Sequence, residues 1–250
     1  MKVLRVAGFF AINSAMRLGG RLVLIAGACV LTACASGPGT PYNNPADPFE
    51  PFNRKVSVFN DAIDDNVLKP AARAYRQVVP SPARTGVNNF FTNLSEPWNF
   101  VNSVLQLKPR RSVETLTRFL LNTGMGLGGV LDIASETGIE YHNEDFGQTL
   151  GRWGVPPGPY LVLPLFGPST VRDTAAFPIN RLGEPLNAVG DTGTLIGLSV
   201  LRVVDLRSNF LRASRLLEDA ALDKYSFARD AHLQRRRSEV YDGNPPAEDR

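Results

Sequence analysis

Histidine and cysteine are nearly absent from this 250-residue chain, with two of each. His142 and His232 cannot build a His- or Cys-rich zinc site, and no His-Glu-x-x-His spacing occurs. The hydrolase elbow Gly-x-Ser-x-Gly is missing too, because Gly167-Pro168-Ser169-Thr170-Val171 ends in valine. Gly124-Met125-Gly126-Leu127-Gly128-Gly129 has glycines enough for a dinucleotide loop, but it follows a predicted helix, Arg118 to Asn122, where that loop needs a strand. These glycines read better as a bend or a close-packing site. Asp64-Asp65 and Glu144-Asp145 are adjacent pairs that point in different directions on a helix, so they read as solvated faces. Past residue 34 no stretch of 18 uninterrupted apolar residues occurs, so no segment is a standard membrane-spanning helix. No internal repeat is visible. Catalysis by metal, thiol or activated serine thus finds no support, and no cofactor is implied.

A net charge of +3 and a pI near 9.0 suggest a nucleic-acid partner, but the distribution of charge removes that reading. Lys2, Arg5, Arg17 and Arg21 precede the first acid of the chain, Asp47. Of 27 basic and 24 acidic residues, removal of those four leaves 23 and 24, a net charge of −1. The excess basicity therefore belongs to a targeting peptide. Arg235-Arg236-Arg237 is short and surrounded by Glu218, Asp219, Asp223, Asp230 and Glu239, as in a solvated or lipid-headgroup-facing helix end.

The targeting peptide is explicit. Leu22 to Ala33 is an apolar run too short to span a bilayer and suited to the hydrophobic region of a secretory signal. It ends in Leu31-Thr32-Ala33-Cys34, the pattern of a bacterial lipobox. Residues 1–33 are expected to be cleaved, leaving Cys34 acylated on its sulfur and its new amine. Cys29 is lost with the signal, so the mature chain has a single, lipidated cysteine and no internal disulfide. Ala35 stands where an Asp would favour inner-membrane retention, which points to the outer membrane. Three acyl chains at about 0.8 kcal/mol per buried methylene hold the anchor permanently. Translation from Met16 would give a signal of more usual length. Residues 34–46 are the lipidated cysteine and a Pro/Gly/Asn-rich tether, 47–242 the folded domain, and 243–250 a polar tail.

Within the domain the periodicity is helical. Phe52, Val56, Phe59, Ile63 and Val67 form one stripe over 49–68, interrupted at Pro70. Ser81-Pro82 opens a helix to Leu94, and Ser95-Glu96-Pro97 a third holding Phe100, Val101, Val104 and Leu105. Further helices are expected over 112–121, 192–206, 208–221 and 222–241. Only Tyr160 to Phe166 reads as extended, and its flanking prolines deny it a central strand. The class is all-α. Asparagine rather than charge accompanies the aromatic residues of the second and third helices: Asn88, Asn89, Asn93, Asn99 and Asn102 beside Phe90, Phe91, Trp98 and Phe100. Two explanations fit. Either buried amides bridge tightly packed helices, or the body lies in a membrane interface around a polar interior.

Several blocks together resemble the MlaA (VacJ) lipoproteins of the outer-membrane lipid asymmetry system. Asp47-Pro48-Phe49-Glu50-Pro51-Phe52-Asn53-Arg54 comes first, then Phe59-Asn60. Pro80-Ser81-Pro82-Ala83-Arg84 leads into Asn88-Asn89-Phe90-Phe91-Thr92-Asn93-Leu94. Arg118-Phe119-Leu120-Leu121-Asn122-Thr123, Gly128-Gly129 and Asp132 follow. Asp145 to Gly151, Trp153-Gly154-Val155, Gly158 to Pro164, Gly167-Pro168-Ser169 and Arg172-Asp173 complete the order. The resemblance implies a ring-shaped single domain of short amphipathic helices lying in the membrane plane, with a central amphipathic channel and no covalent chemistry. Misplaced outer-leaflet phospholipids would descend through it to a periplasmic carrier, MlaC, and then to an inner-membrane transporter. The ring would sit beside a trimeric porin of the OmpC/OmpF type. The resemblance favours the polar-interior explanation and places Phe59, Asn60, Asn89, Asn93, Asn102 and Tyr160 near the channel. A structural envelope lipoprotein and a secreted lipid hydrolase are the competing readings.

Overall fold

The computed structural model describes residues 44–246, without the side chains of 216–220; the expected signal, Cys34 and the tether up to residue 43 lie outside the described residues. α1 (Glu50–Ile63) takes Pro51 in its first turn, where a missing N–H costs nothing. The chain does not break at Pro70. It widens into a π-helical turn, Asp64–Leu68, and continues as α2 (Lys69–Val78) with Pro70 in the first turn of the new segment. The wider turn changes which carbonyl faces the proline ring, and so removes the clash that predicted an interruption.

The second and third expected helices are likewise one element, α3 (Ser81–Leu105), with Pro97 inside it and Pro80 rather than Ser81 at its cap. α4 (Pro109–Gly124) ends in the glycine-rich turn, where Leu127, Gly128 and Gly129 all take positive φ. α5 (Ile133–Glu136), α6 (Phe146–Arg152) and α7 (Val171–Gly183) are not foreshadowed by periodicity. Each opens on a side-chain cap, from Asp132 to Ser135 N, Asp145 to Gln148 N and Thr170 to Asp173 N. Between α6 and α7, β1 (Tyr160–Leu163) pairs antiparallel with β2 (Gly167–Thr170), Tyr160 opposite Thr170. A 3₁₀ turn (Pro185–Ala188) precedes α8 (Thr192–Ala220), one helix where two were expected, and α9 (Lys224–Val240) closes the domain. Among the described residues the fold is all-α with one two-stranded ribbon. α3 lies along α4, α8 against α2 and α3, α1 against β1, and α9 against α6 and β2.

The interior is polar. Among the described residues 24 polar or charged side chains are buried against 11 apolar ones, while 32 large apolar side chains are exposed. In a water-soluble domain the balance runs the other way. The stripe of α1 shows the inversion: Val56 is buried, but Phe52, Phe59 and Val67 are about half exposed, at 46%, 50% and 57%. The buried face of α1 is Glu50, Asn53 and Val56.

Buried polar groups persist only when paired, and most here are. Asn53 donates to Asp47 Oδ1 (2.8 Å) and Tyr160 O (3.1 Å) and accepts from Val162 N (2.9 Å), fixing the start of the domain to β1. Arg118, fully buried on α4, donates from Nε to Glu96 Oε1 (2.9 Å), from Nη1 to Ser135 Oγ and Ile139 O, and from Nη2 to both oxygens of Asp132. One guanidinium thereby joins α3, α4 and α5.

Candidate functional site

A cleft of about 720 Å³ opens between α1 with its π turn, the β1–β2 ribbon, α8 and α9. Each helix contributes one stripe. Asp61, Asp64 and Leu68 follow one line of α1 and its π turn, Val203, Leu206, Arg207, Phe210 and Ser214 one face of α8, and Lys224, Phe227, Ala228, Ala231, His232 and Arg235 one face of α9. Phe166 of the ribbon turn adds to the apolar wall. The lining therefore combines a hydrocarbon surface with fixed charges. A second cleft of about 410 Å³ adjoins it, shares Asp61, Gly167, Pro168, Lys224 and Ala228, and reaches Asn60, Tyr160 and Val162.

The charges of the larger cleft are arranged as pairs across helices. Arg207 donates to Asp64 from Nε (2.6 Å) and Nη2 (2.8 Å), and from Nη1 to Ser214 Oγ (3.0 Å). Lys224 Nζ reaches Asp61 Oδ1 at 3.2 Å where the two cleft linings meet. Nearby, Arg54 donates to both oxygens of Asp223 and lies 4.4 Å from the centre of the Tyr225 ring, holding the Asp223 carboxyl far below the usual range. His232 is half-buried, its buried Nε2 meets no partner among the described residues, and burial pushes its pKa down to about 4, so it is neutral at neutral pH. Its ring meets that of Tyr160 edge to face at 6.0 Å. Burial, and then the nearby Asp47 carboxylate, push the Tyr160 phenol up.

Five of the six side chains expected beside a channel separate into two groups, and Phe59 stands apart. Asn60 and Tyr160 line the smaller cleft. Asn60 donates to Leu163 O (3.0 Å) and accepts from Leu165 N (2.8 Å), pinning the ribbon turn to α1 at a residue with φ of 68°. Tyr160 is 1% exposed and belongs to a small apolar core with Val56, Val162 and Tyr225. Asn89, Asn93 and Asn102 hold α3 to its neighbours. Asn89 donates to Val130 O (3.1 Å) and Asn93 to Thr123 Oγ1 (2.9 Å), with Asn93 Oδ1 meeting no partner among the described residues. Asn102 donates to Trp98 O and accepts from Thr149 Oγ1 at 2.8 Å. Phe59 is half exposed on α1.

Sequence reasoning misses Asp61, Asp64, Arg207 and Lys224. Asp64-Asp65 reads as a solvated pair; in the fold Asp64 faces α8 and Asp65 binds Lys69 at 2.6 Å. The signal that could have found them is spacing, since Asp61 and Asp64 stand one turn apart and Arg207 interrupts the apolar stripe of α8. The Ser169 hydroxyl pairs with Thr174 Oγ1 (3.0 Å) and Thr170 O, and among the described residues no base pairs with it. Among the described residues no three His, Cys, Asp or Glu side chains converge to hold a metal, and no helix is long and apolar enough to cross a membrane.

Comparison with known proteins bears on this arrangement. Residues 45–239 match the family described as MlaA lipoprotein. The chain is 36% identical over 223 residues, 85% of each chain, to the intermembrane phospholipid transport system lipoprotein MlaA of Shigella flexneri, and equally to that of Escherichia coli K12. The Haemophilus influenzae protein of the same name is 35% identical over 229 residues, 89% of this chain and 90% of its own. Among solved structures, one described as the structural basis for maintenance of bacterial outer membrane lipid asymmetry superposes with a TM-score of 0.68 at 35% identity. It covers 79% of this chain and 99% of its own.

Proposed function

We propose, from the premise that this chain belongs to the MlaA lipoprotein family, that it is an outer-membrane lipoprotein of an intermembrane phospholipid transport system. It draws misplaced phospholipid from the outer leaflet through an amphipathic passage and releases it to a periplasmic carrier, without covalent chemistry. Its helices lie in the inner leaflet around that passage, beside a trimeric porin.

The inversion of polarity supports this reading. A body that exposes Phe52, Phe59, Val67, Leu120 and Leu127 while burying Glu50, Asn53, Glu96 and Asn102 is suited to a surrounding hydrocarbon. With no spanning helix among the described residues, such a body would lie in one leaflet. The larger cleft supplies the complementary element, an apolar wall for acyl chains beside paired charges for a headgroup. At about 720 Å³ its size falls within the ordinary range for small-molecule sites.

The test is the amount of phospholipid in the outer leaflet of a deletion strain, measured with and without the gene restored. Accumulation on deletion and clearance on restoration are expected. Unchanged surface phospholipid would leave a purely structural lipoprotein. Release of free fatty acid by the purified protein would return the hydrolase.

A further inference from the structure

The charged seam of the larger cleft carries information about the headgroup it accommodates, and this inference rests on the passage reading above. Five charged side chains line the cleft: Asp61 and Asp64 on α1 and its π turn, Arg207 on α8, and Lys224 and Arg235 on α9. His232 adds no charge at neutral pH. Asp64 is engaged bidentately by Arg207 and faces Lys69 Nζ at 3.8 Å; Asp61 is engaged by Lys224; Arg235 contacts Glu239 at 3.3 Å. Every cation in the wall therefore has a carboxylate partner already.

A phosphate entering this wall attracts Arg207 or Lys224 and draws it from its carboxylate. Asp64 is only 23% exposed, so a carboxylate stranded there is poorly compensated by water. A headgroup that brings its own cation avoids that loss. The ammonium of a phosphoethanolamine group carries three donors and takes over the vacated carboxylate, so two ion pairs are exchanged for two others. Each cation stands beside its carboxylate, at 2.6 Å for Arg207 and Asp64 and 3.2 Å for Lys224 and Asp61, so a phosphate on the one leaves the other within reach of an ammonium two carbons away. A phosphoglycerol head supplies hydroxyls only; it leaves Asp64 with the longer Lys69 contact at 3.8 Å as its one remaining ion pair, and Asp61 without Lys224. Leu206, Phe210 and Phe227, which share the helix faces of these charges, are apolar and make no such distinction.

We propose that the Asp61–Lys224 and Asp64–Arg207 pairs form an ion-pair-exchange station that favours zwitterionic phospholipids with a primary ammonium over anionic phosphoglycerol lipids.

The full-length lipoprotein, purified in detergent, is equilibrated with mixed micelles of equal phosphatidylethanolamine and phosphatidylglycerol, and retained lipid is quantified by mass spectrometry. Comparison with variants subtracts lipid held on the outer apolar surface. The wild type should retain phosphatidylethanolamine over phosphatidylglycerol by about threefold to fivefold, the preference one part-exposed charge pair supplies. Asp61→Asn and Asp64→Asn should bring the ratio to parity by leaving cations in excess. Asp61 is 47% exposed, so its replacement decides the matter even if Asp64→Asn fails to fold. The exchanged pair Asp61→Lys with Lys224→Asp should keep the preference. Ala228→Trp, which fills the cleft from α9, should lower retention of the preferred lipid. If Ala228→Trp lowers retention while wild type and Asp61→Asn show one and the same ratio, the passage reading stands and the headgroup inference falls. If Ala228→Trp changes neither amount nor ratio, no lipid occupies the cleft and the passage reading falls with it.

Discussion

Replacing Glu96 with glutamine should stabilise the protein, and more so as pH rises. Glu96 is fully buried on α3, and burial lifts its pKa from 4.5 to about 7 although Arg118 Nε, 2.9 Å away, pulls it down. A carboxyl raised in the folded state favours folding in its protonated form. That contribution is complete below the unfolded value of 4.5 and is lost as pH climbs through 7. At 1.36 kcal/mol per pH unit the full loss is about 3 kcal/mol. Glutamine keeps the shape and an acceptor for Arg118, which retains both oxygens of Asp132 as its counter-charge. The advantage of Glu96→Gln over wild type should therefore grow from below about 1 kcal/mol at pH 5 to about 3 kcal/mol at pH 8.

The difference between the two proteins has to be measured, because wild-type stability alone hides the effect. His232 titrates in the opposite sense over the same interval. Thermal melts in detergent followed by circular dichroism at pH 5, 6.5 and 8 suffice. For a domain of this size about 2–4 °C corresponds to 1 kcal/mol, so a Tm advantage of roughly 6–12 °C at pH 8 is expected. A constant difference across the three values, or a loss at pH 8, would show that Arg118 keeps Glu96 ionised at no net cost and would refute the reasoning.

His232→Phe should show the mirror image. The depressed pKa of about 4 against an ordinary 6.5 costs the wild type stability only as pH falls below 6.5, so the variant should gain about 2 kcal/mol at pH 5 relative to its difference at pH 8, read by the same melts. Asn60→Ala should free the ribbon turn, costing about 1–2 kcal/mol for two part-exposed hydrogen bonds, with faster hydrogen exchange at the Leu165 amide as the local signature. Cys34→Ala should give an uncleaved, mislocalised precursor, and mass spectrometry of the wild-type N-terminal peptide should find acyl chains on Cys34; an unmodified peptide reading through Ala33 would end that proposal.

Periodicity locates most of the helices, and the extended reading of 160–166 matches β1 and the turn after it but not β2. The failures lie at prolines, at Arg207 within α8, and at the elements from α5 to α7. Pro70 and Pro97 are punctuation only while the backbone around them stays a regular α-helix. A π turn ahead of Pro70, and the packing of α3 along α4 around Pro97, offset the roughly 3 kcal/mol that an interior proline costs. α6 and α7 between them hold three glycines and a proline within few turns, so no stripe forms. Their starts are nevertheless legible as caps: Asp145 precedes Gln148, and Thr170 precedes Asp173, at the spacing of a capping box. The cleft is the least legible feature. Asp64 and Arg207 meet only because the π turn and α8 are brought together, and no local spacing encodes that approach.

A stripe in a sequence says which residues share a face, and leaves open which medium that face meets. On α3 the buried positions include Asn93, Glu96, Asn99, Asn102 and Ser103, while Val101, Val104 and Leu105 look outward. Both stripes have helical spacing, so the apolar periodicity is the same whichever is inside. What separates the two cases is the chemistry of the polar stripe. A solvated face needs no particular partners and is commonly filled with Lys and Glu, whose long side chains are costly to order. A buried polar face must satisfy each donor and acceptor at fixed positions, which favours short, amphoteric amides and hydroxyls. Asn102, donating to Trp98 O and accepting from Thr149, uses both ends of its amide in this way, as does Asn53 between Asp47, Tyr160 and Val162. Asparagine standing in for charge opposite an apolar stripe is therefore the sequence sign that the stripe points outward, and the exposed valines of α3 are where that sign is confirmed.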